Sequence, residues 1–423
     1  MRKNISILVS LLILSLTACS DKGQYFEESG SVFHTSYHIK YKAKQILTDK
    51  IDSELQRFNL SLNPFNPNST IAKVNNNEDV EVDEWFTEVF IKAEEISKKS
   101  GGAFDITCAP LINLWGFGFS KMDSVTPQMI DSIKAFVGYQ KVRLEGKKII
   151  KEDPRILLNC SSIAKGYACD VIARLLEKEG VKNYMVEIGG EVTMKGVNQQ
   201  GDCWRVGINK PEIGTSGVTN DVEEIVQLCQ KGGVATSGDY RNFYIKDGKK
   251  YAHTINPATG YPAGQNILSA TIVAEDCMTA DAYATTFMVL GVEKAKLLAQ
   301  SIPQIEYFII YADNNGQQKV TYSKGMLEYL PNRKLIIYSQ EGTHIAEVAK
   351  DHFMLLAQNT NHKVIASAPT RLILIHAGSL SDMIINDPEW NVEKPVVLPI
   401  PPALAHTLNQ IEYYMKDKYF TLN

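Results

Sequence analysis

The irregular order of strand and helix patterns most constrains what this chain can fold into. Alternating apolar residues and helical periodicity follow one another without a fixed rhythm from Val32 to Ala312, and hairpin-like strand pairs interrupt them. A doubly wound sheet requires regular strand–helix–strand units, and a dinucleotide-binding one has a glycine-rich turn after a strand. The sequence has no such turn. It therefore predicts an α+β fold with mixed, largely antiparallel sheets and flanking helices.

Individual elements can be assigned from periodicity and from Gly, Pro and Asn breaks. Helices are predicted at residues 51–58, 84–99, from Pro127 onward, and at 163–178, 279–290 and 292–300. Strands are predicted at residues 32–41, 142–151, 156–158, 184–188, 204–208, 233–236, 267–273 and 307–312, with a hairpin formed by 242–246 and 250–255.

A targeting signal occupies the first residues. The basic start Arg2-Lys3 is followed by an apolar run, Ile5 to Leu16, which is too short to span a bilayer comfortably. The ending Leu16-Thr17-Ala18-Cys19 resembles a bacterial lipobox. We therefore expect residues 1–18 to be a cleaved lipoprotein signal peptide and Cys19 to be lipidated; an uncleaved anchor and a plain signal peptide are the alternatives. Lipidation would hold the protein to a bacterial membrane surface, in the cell envelope on the periplasmic side.

Composition divides the remaining chain into three segments. Residues 19–29 are expected to be a linker, and residues 30–325 the main domain. Residues 331–423 differ in character, because they hold five of the eight histidines, a proline-rich stretch and a helical pattern at Ala403–Lys416. We expect a small C-terminal extension, which is either a docking surface for a partner protein or a stabilising cap.

Charge and cysteine content exclude some classes of function. The formal net charge is −4 without a long basic run, so non-specific nucleic-acid binding, which needs a clustered positive surface, is not expected. Six cysteines follow Cys19, and none forms a CxxC pair or a metal-ligand cluster. We expect buried free thiols and assign no disulfide bridge.

The segment Ser161-Ser162-Ile163-Ala164-Lys165-Gly166 begins an amphipathic helix. Its serines are good N-cap residues, which is a sufficient structural explanation. Lys165 in the first turn also suits an anion such as phosphate, held between the helix dipole and an ammonium group. Both interpretations stay open from the sequence.

Asp281 and Thr285 lie four residues apart on a predicted helix, so their side chains share one face. A carboxylate and a hydroxyl, completed by a backbone carbonyl, water and a substrate phosphate, form a suitable magnesium shell. Alternatively, Asp281 interacts with the helix dipole and Thr285 bonds back to a backbone carbonyl.

Three loops could present polar groups to a ligand. His253 precedes the rigid turn Asn256-Pro257-Ala258-Thr259-Gly260, and loops of this kind commonly carry functional residues. Paired glycines in Gly101-Gly102-Ala103-Phe104-Asp105 and Ile188-Gly189-Gly190-Glu191 allow a ligand to approach the backbone, and a carboxylate follows each pair. Each pair is equally compatible with a tight turn and a solvated acid.

Five segments together, GGAFDIT, SSIAKGYACD, TSGDYRNF, HTINPATG and ADAYATT, resemble the ApbE-type enzymes, which are FAD:protein FMN transferases. The resemblance runs from about Gly30 to Gly325 in the family's motif order and includes Leu114-Trp115-Gly116-Phe117-Gly118. It implies an ApbE-like fold and a magnesium-dependent reaction. In that reaction FMN from FAD becomes attached to a Thr or Ser of a partner protein through a phosphoester bond, and AMP is released.

The resemblance also implies roles for individual residues. It gives Asp281, Thr285 and the carbonyl of Ala164 as magnesium ligands. For the catalytic base that activates the acceptor hydroxyl, His253 is the first candidate and Asp105 the second. The flavin-binding residues expected from the resemblance, with Lys165 added from the helix-dipole argument, are Phe33, Phe65, Ala103, Phe104, Asp105, Ser161, Lys165, Tyr167, His253 and Ile255.

Two positions depart from the family pattern. Asn256 stands where the family usually has Asp before the proline, and Ala258 stands where an Arg is often found after it. Asn keeps the turn preference but lacks the charge, so we expect a structural turn role at this position.

Three functions are compatible with these residues. The first is FMN transfer to an acceptor, for which Nqr- or Rnf-type redox subunits are implied. The second is an FAD pyrophosphatase that uses water and gives FMN and AMP. The third is a non-catalytic flavin- and metal-binding lipoprotein.

Overall fold

The computed structural model describes residues 23–118, 124–211, 222–238, 243–246, 249–331, 334–338, 344–349, 363–367 and 371–375. The predicted signal peptide, Cys19 and the helical pattern at 403–416 lie outside these ranges. The described residues form two compact units. One contains the residues up to Trp204, Pro211 and 228–321, and the other contains 205–210, 222–227 and the residues from Tyr322 onward.

Strands and helices are numbered in chain order. The strands are β1 Gln24–Val32, β2 Thr35–Ala43, β3 Val142–Glu145, β4 Lys148–Lys151, β5 Tyr184–Ile188, β6 Glu191–Lys195, β7 Trp204–Asn209, β8 Val222–Leu228, β9 Gly232–Gly238, β10 Phe243–Lys246, β11 Lys249–Ala252, β12 Ile267–Ala274, β13 Ile305–Ala312, β14 Gln318–Tyr322, β15 Lys334–Tyr338, β16 His344–Ala349, β17 Lys363–Ser367 and β18 Arg371–Ile375. The helices are α1 Thr48–Leu62, α2 Thr70–Asn75, α3 Glu84–Lys99, α4 Ala109–Leu114, α5 Pro127–Lys134, α6 Ala164–Lys178, α7 Cys277–Leu290 and α8 Val292–Gln300.

An eight-stranded sheet forms the centre of the first unit, in the order β1-β2-β5-β6-β9-β12-β13-β14. Each neighbouring pair from β1 to β13 is antiparallel. Helices α6 and α7 pack on the central strands, and apolar residues such as Val186, Ile272 and Ile309 are completely buried. This arrangement confirms the predicted α+β class with largely antiparallel sheets.

Helix α7 is held close to α6. It begins where the side chain of Asp276 accepts a hydrogen bond from the amide of Thr279 at 2.7 Å, and it ends at Gly291, whose φ is 75°. The close approach to α6 depends on Gly166, because a Cβ at this position would lie only 2.2 Å from the carbonyl oxygen of Cys277. The first turn of α6 therefore touches the first turn of α7 through backbone atoms.

Most predicted elements are present, but the strand expected at residues 156–158 is wrong. Ile156 and Leu158 are buried, which explains the apolar pattern, yet most of their backbone hydrogen bonds go to side chains. Leu158 N donates to Asn75 Oδ1 at 2.7 Å, and Lys151 Nζ donates to the carbonyl of Ile156 at 3.0 Å. The segment is a buried loop whose backbone groups are satisfied without a strand partner.

The linker expected at residues 19–29 is wrong from Gln24 onward, because strand β1 occupies this stretch and pairs with β2. Its side chains are mostly exposed or half-buried and polar, so the sequence shows no apolar alternation. The connecting turn is formed by Phe33 and His34 with φ values of 52° and 60°. Neither residue is the Gly or Asn that usually indicates such a hairpin.

One pair of cysteines contradicts the expectation of free thiols throughout. Cys203 and Cys229, next to the start of β7 and the end of β8, form a disulfide with a Cα–Cα distance of 4.6 Å. The other four cysteines in the described chain, Cys108, Cys160, Cys169 and Cys277, are buried and unbridged. Sequence spacing could not distinguish the two groups, because the pairing of β7 with β8 brings the bridged residues together.

The described part of the C-terminal extension consists of two antiparallel hairpins, β15–β16 and β17–β18. Its role as a docking surface or cap stays a prediction. Among the helices of the described chain, none is long and apolar enough to cross a membrane.

Candidate active site

A cleft of about 370 Å³ in the first unit collects nearly all of the predicted site residues. This volume is typical of small-molecule sites. The N-terminal turn of α6, helix α7, strand β9 and the loops after α3 and β11 contribute to its walls. The predicted residues that line it are Phe65, Ala103, Phe104, Asp105, Ser161, Lys165, His253, Ile255, Asp281 and Thr285.

A buried cluster of charged groups lies at one end of the cleft. Asp281 is 2% exposed, and its Oδ2 accepts a hydrogen bond from the amide of Gly166 at 3.0 Å. The Nζ of Lys165 lies 2.5 Å from Glu191 Oε1 and 4.0 Å from Asp281 Oδ1. Two hydroxyl residues, Ser237 and Thr285, also line the cleft. We call this set the polar end: Lys165, Glu191, Ser237, Asp281 and Thr285.

Burial and mutual charge shift the pKa values of these groups. Burial raises the pKa of Asp281, against the attraction of Lys165 and the hydrogen bond from Gly166. Burial also raises the pKa of Glu191, to about 7, again opposed by Lys165. For Lys165, burial alone would lower the pKa, but Asp281 and Glu191 raise it above its ordinary value. The ammonium is therefore retained, and one net negative charge is left when both acids are ionised.

Glu191 is a site residue that the sequence did not identify. The glycine pair before it was compatible with a solvated acid, but the structure buries the carboxylate against Lys165. Its Oε2 is buried and has no hydrogen-bond partner within the described chain. A buried carboxylate oxygen in that state is expected to gain a partner from a ligand or ion, since leaving it unpaired costs about 1–3 kcal/mol.

A reciprocal pair of carboxylates locks α6 and α7 together. Asp281 on α7 accepts from the first turn of α6, as described above. In the opposite direction, Asp170 on α6 accepts from the amides of Cys277 and Met278, the first residues of α7, at 3.0 and 2.8 Å. Burial raises the pKa of Asp170 to about 7, and the nearby Asp276 charge adds to this. The position of Asp281 in the cleft is thus fixed by hydrogen bonds between the N-terminal parts of α6 and α7.

The oxygen donors at the polar end fit a hard divalent cation such as magnesium. Thr285 Oγ1 lies 3.2 Å from Ser237 Oγ, and Asp281 and the unpaired Glu191 oxygen add carboxylates. No group of three or more His, Cys, Asp or Glu side chains in the described residues forms a metal centre by itself. A cation would therefore need a backbone carbonyl, water or substrate oxygens to complete its shell.

Other residues of the cleft lining are apolar and aromatic. Phe104 is completely buried, Phe65 is 47% exposed, and Ile255 contributes an aliphatic surface. The ring of Phe117 lies 6.4 Å from the ring of His253 in an edge-on arrangement. Such a surface can pack against a planar ring system. We call Phe65, Phe104, Phe117, His253 and Ile255 the apolar end.

Asp105 lines the cleft but is poorly suited to act as a base. Its Oδ1 accepts from the amide and the hydroxyl of Thr107 at 2.8 and 2.7 Å, and its Oδ2 accepts from the amide of Tyr139 at 2.8 Å. Burial raises the pKa of Asp105, although these three hydrogen bonds oppose the effect. The carboxylate holds the loop together, which leaves His253 as the better candidate.

Asn256 has the structural turn role expected from its departure from the family pattern. Its Oδ1 accepts from the amide of Ala258 at 2.9 Å, and its carbonyl accepts from Gly260 at 2.8 Å. The indole of Trp115 donates to the carbonyl of Gly260 at 2.7 Å. The turn after His253 is therefore fixed by hydrogen bonds that need no charge at position 256.

Three predicted residues do not line the cleft. Tyr167 is two residues beyond Lys165 on α6 and thus points to the opposite side, where its buried ring lies 5.9 Å from that of Phe58. The ring of Phe33 also packs on Phe58, at 5.2 Å. Ala164 begins α6 beside the cleft, and the role of its carbonyl stays a prediction.

Residues of β9 are a second group that the sequence did not identify individually. Thr236, Ser237 and Gly238 line the cleft, while the rest of the segment TSGDYRNF, residues 239–242, lies outside the described ranges. Together with Asn159 and Ser162 they add neutral hydrogen-bonding groups to the lining of the cleft. No spacing rule identifies such residues before the sheet is assembled.

The cleft thus defines a class of protein. A buried cation-compatible cluster at one end and an aromatic surface at the other suit an enzyme that binds a molecule with both phosphate and a planar ring system. The sequence profile of the ApbE family matches residues 33–309. The chain belongs to the ApbE family.

Individual relatives support this assignment. The chain is 34% identical over 329 residues to the FAD:protein FMN transferase of Vibrio cholerae. This alignment covers 75% of the present chain and 96% of the relative. It is 36% identical over 332 residues to the enzyme of the same name from Haemophilus influenzae, covering 74% and 95%. Among solved structures, the flavin transferase ApbE from Vibrio cholerae matches with a TM-score of 0.65 and 33% identity, covering 73% of this chain and all of that one. The apo form of the Pseudomonas stutzeri flavinyl transferase ApbE matches with a TM-score of 0.65 and 29% identity, covering 73% and 97%.

Proposed function

We propose that this protein is a magnesium-dependent FAD:protein FMN transferase. The observation that carries the proposal is the joining, in one cleft, of the polar end with Asp281 and Lys165 to the aromatic surface at Phe104. The two relatives described above match this chain over nearly their whole length, and both are transferases of that name. FAD offers the chemical parts that suit these two groups of residues, a pyrophosphate and an isoalloxazine ring.

The reaction exchanges the phosphoanhydride bond of FAD for a phosphoester bond to the acceptor. The hydroxyl oxygen of an acceptor Thr or Ser attacks the FMN-side phosphorus of FAD, the bond to the bridging oxygen breaks, and AMP leaves with that oxygen. The hydroxyl proton needs an acceptor, and we assign this to His253, since both oxygens of Asp105 already accept hydrogen bonds. Lys165 at the N-terminus of α6 stabilises the anionic pyrophosphate.

Asp281 and Thr285, with the Ala164 carbonyl, would hold a magnesium ion, and Glu191 Oε2 lies in the same cluster. When bound, magnesium neutralises charge on the pyrophosphate oxygens. The protein's own contribution is to hold the carboxylates in place through the contacts between α6 and α7, and to exclude water by burial.

A reconstituted assay tests this function. The protein is incubated with FAD, magnesium and an Nqr- or Rnf-type subunit, and the products are followed by in-gel flavin fluorescence, protein mass and AMP release. We expect a covalent flavin on the acceptor and equimolar AMP. Chelation of magnesium and replacement of the acceptor Thr by Val are the controls. Formation of AMP and free FMN without labelled protein would instead identify a pyrophosphatase, and the absence of any product would contradict catalysis.

We also propose that Cys19 carries a lipid and that the protein works in the cell envelope, anchored to a bacterial membrane on its periplasmic side. The apolar run and the lipobox-like ending support this. Mass spectrometry of the N-terminal peptide from membrane fractions tests it. A diacylated peptide that begins at Cys19 is expected, and an unmodified peptide would contradict it.

A further inference from the structure

A second cavity, of about 600 Å³, lies in the first unit at the loop between β2 and α1 and the loop between α6 and β5. Three of its lining residues are lysines, Lys42, Lys44 and Lys182. Its acidic lining residue, Glu179, is paired with Lys50, whose Nζ lies 2.6 Å from Glu179 Oε2. Among the described lining residues positive charge is therefore in excess, which suits a phosphate-bearing partner.

The position of Gly23 connects this cavity to the N-terminus. Gly23 lines the cavity and is four residues beyond Cys19. Four residues span at most about 14 Å even when fully extended. If Cys19 carries a lipid, as proposed above, the cavity rim must lie close to the membrane surface.

An exposed apolar residue lies beside the same cavity. Ile46 is 61% exposed, although it is flanked by the cavity residues Gln45 and Leu47. Leu47 is buried, and its amide donates to the hydroxyl of Tyr41 at 2.8 Å, so the loop that presents Ile46 is anchored. An exposed aliphatic side chain next to a lysine-lined cavity is the arrangement expected where a protein touches the boundary between headgroups and acyl chains.

The active-site cleft lies at the opposite end of the same strands. In the β1–β2 hairpin, Gln24 pairs with Ala43 at the cavity end, and Val32 pairs with Thr35 at the other end. There, the amide of Gly189, a cleft residue, donates to the carbonyl of Ser36 at 3.0 Å. A nine-residue strand such as β2 spans about 26 Å.

We propose that the surface formed by Gly23, Lys42, Lys44, Ile46 and Lys182, called the lysine face, rests on the anionic headgroups of the membrane that holds the lipid anchor. The inference depends on the proposed lipidation of Cys19 for its geometry. The phosphate groups of anionic phospholipids bind the lysines, and Ile46 enters the headgroup–acyl boundary. The cleft is then held on the order of 26 Å from the lipid surface, where a flavin acceptor has to present its hydroxyl.

Binding to vesicles tests the lysine face without the lipid. The chain from residue 19 with Cys19→Ser is mixed with vesicles of zwitterionic lipid alone or with one-third anionic phospholipid. We expect binding only to the anionic vesicles and weaker binding at high salt. The double variant Lys42→Gln/Lys182→Gln should bind about fivefold more weakly for each lysine removed. The matched variant Lys294→Gln/Lys296→Gln, on α8, loses the same charge elsewhere and should bind as the parent does.

A probe at Ile46 tests the orientation of the lipidated protein. An environment-sensitive fluorophore is attached to Ile46→Cys or, as control, to Leu297→Cys, which replaces a side chain 65% exposed. On anionic vesicles we expect a blue shift at position 46 and none at 297. Equal shifts at both positions, or equal binding of the two double variants, would overturn the proposal.

A loss of FMN transfer to the acceptor by Lys42→Gln/Lys182→Gln with unchanged vesicle binding would also overturn it and assign the face to the protein partner. If Cys19 is not lipidated, mass spectrometry of the N-terminal peptide shows it. The vesicle-binding measurement with Cys19→Ser stays valid in that case, because it does not use the lipid.

Discussion

The two ends of the cleft use acidic residues in opposite ways. At the polar end, Asp281 accepts one backbone hydrogen bond and Glu191 keeps one buried oxygen without a partner in the described chain. Next to the apolar end, Asp105 has both oxygens occupied by Thr107 and Tyr139. An acid with unused oxygen capacity is available to a ligand, whereas a saturated one stabilises the loop that carries it. The difference separates binding groups from structural ones, although all three acids line the same cleft.

The largest effect is expected for Asp281→Asn. The amide can still accept from Gly166 but no longer carries the charge that a cation requires, so magnesium affinity and FMN transfer should each fall by at least about 100-fold. Because burial disfavours the ionised Asp281, the metal-free variant should be no less stable than the parent. Titration calorimetry with magnesium and thermal unfolding measure the two effects, with the exposed Asp131→Asn as control. A variant with unchanged magnesium affinity would remove Asp281 from the metal site.

Gly166→Ala should weaken the polar end through packing. The added Cβ would lie 2.2 Å from the carbonyl of Cys277 and 2.8 Å from Asp281 Cβ, so α6 and α7 must move apart. We expect the free energy of unfolding to fall by about 1–3 kcal/mol and FAD binding to weaken. Gly264→Ala is the matched control, because nothing lies within 4 Å of its added Cβ. Equal denaturation midpoints for the two variants would contradict the close-packing argument.

Glu191→Gln should have an intermediate effect on FAD binding. The neutral side chain no longer fixes the ammonium of Lys165, which lies 2.5 Å from it in the parent. We expect the KM for FAD to rise about 10-fold with a smaller change in kcat, as for other residues that act through a ligand-binding neighbour. Glu94→Gln, on α3 and outside the cleft, is the control; its side chain is 41% exposed. A change in kcat alone would place Glu191 in the chemical step.

Asp105→Asn tests the apolar side of the comparison. The amide nitrogen cannot accept a hydrogen bond, so one of the contacts to Thr107 or Tyr139 is lost and stability should fall by about 1–3 kcal/mol. Transfer by the folded variant should change by only a few fold, whereas His253→Gln should reduce it about 100-fold or more. Transfer rates and urea unfolding of both variants provide the measurement. A severe loss of transfer in stable Asp105→Asn protein would restore Asp105 as the base.

The stability of the protein should also depend on pH. The pKa of Asp170 is raised to about 7 in the folded protein from an ordinary value of 3.8, so the folded state binds more protons than the unfolded state between these limits. The free energy of unfolding of metal-free protein should therefore decrease as pH rises from about 4 to about 7. Asp170→Asn should show a shallower decrease, although it is less stable throughout. Urea unfolding at several pH values checks this, and an unchanged slope would exclude Asp170 as its source.

The predictability of the site depended on how local each signal was. The sequence placed Asp281 and Thr285 side by side because one helix sets their spacing, and it placed Lys165 in a first turn; all three line the cleft. Tyr167, on the same helix as Lys165, packs on Phe58 of α1 and does not line the cleft, and the motif alone does not state which side of the helix faces α1. Glu191 was missed because its neighbours in space, Lys165 and Asp281, are distant in sequence.

By itself, the sequence determined the α+β class, most helices and strands, the family, and which candidate site residues share one helix face or one turn. These depend on periodicity, capping and short motifs, which act over a few residues. Only the tertiary structure decided which acids have unused oxygens, which cysteines are bridged, and that the cleft and the lysine face lie at opposite ends of β1 and β2. Those properties depend on contacts between distant segments, and burial then alters the charge and hydrogen bonding of each group.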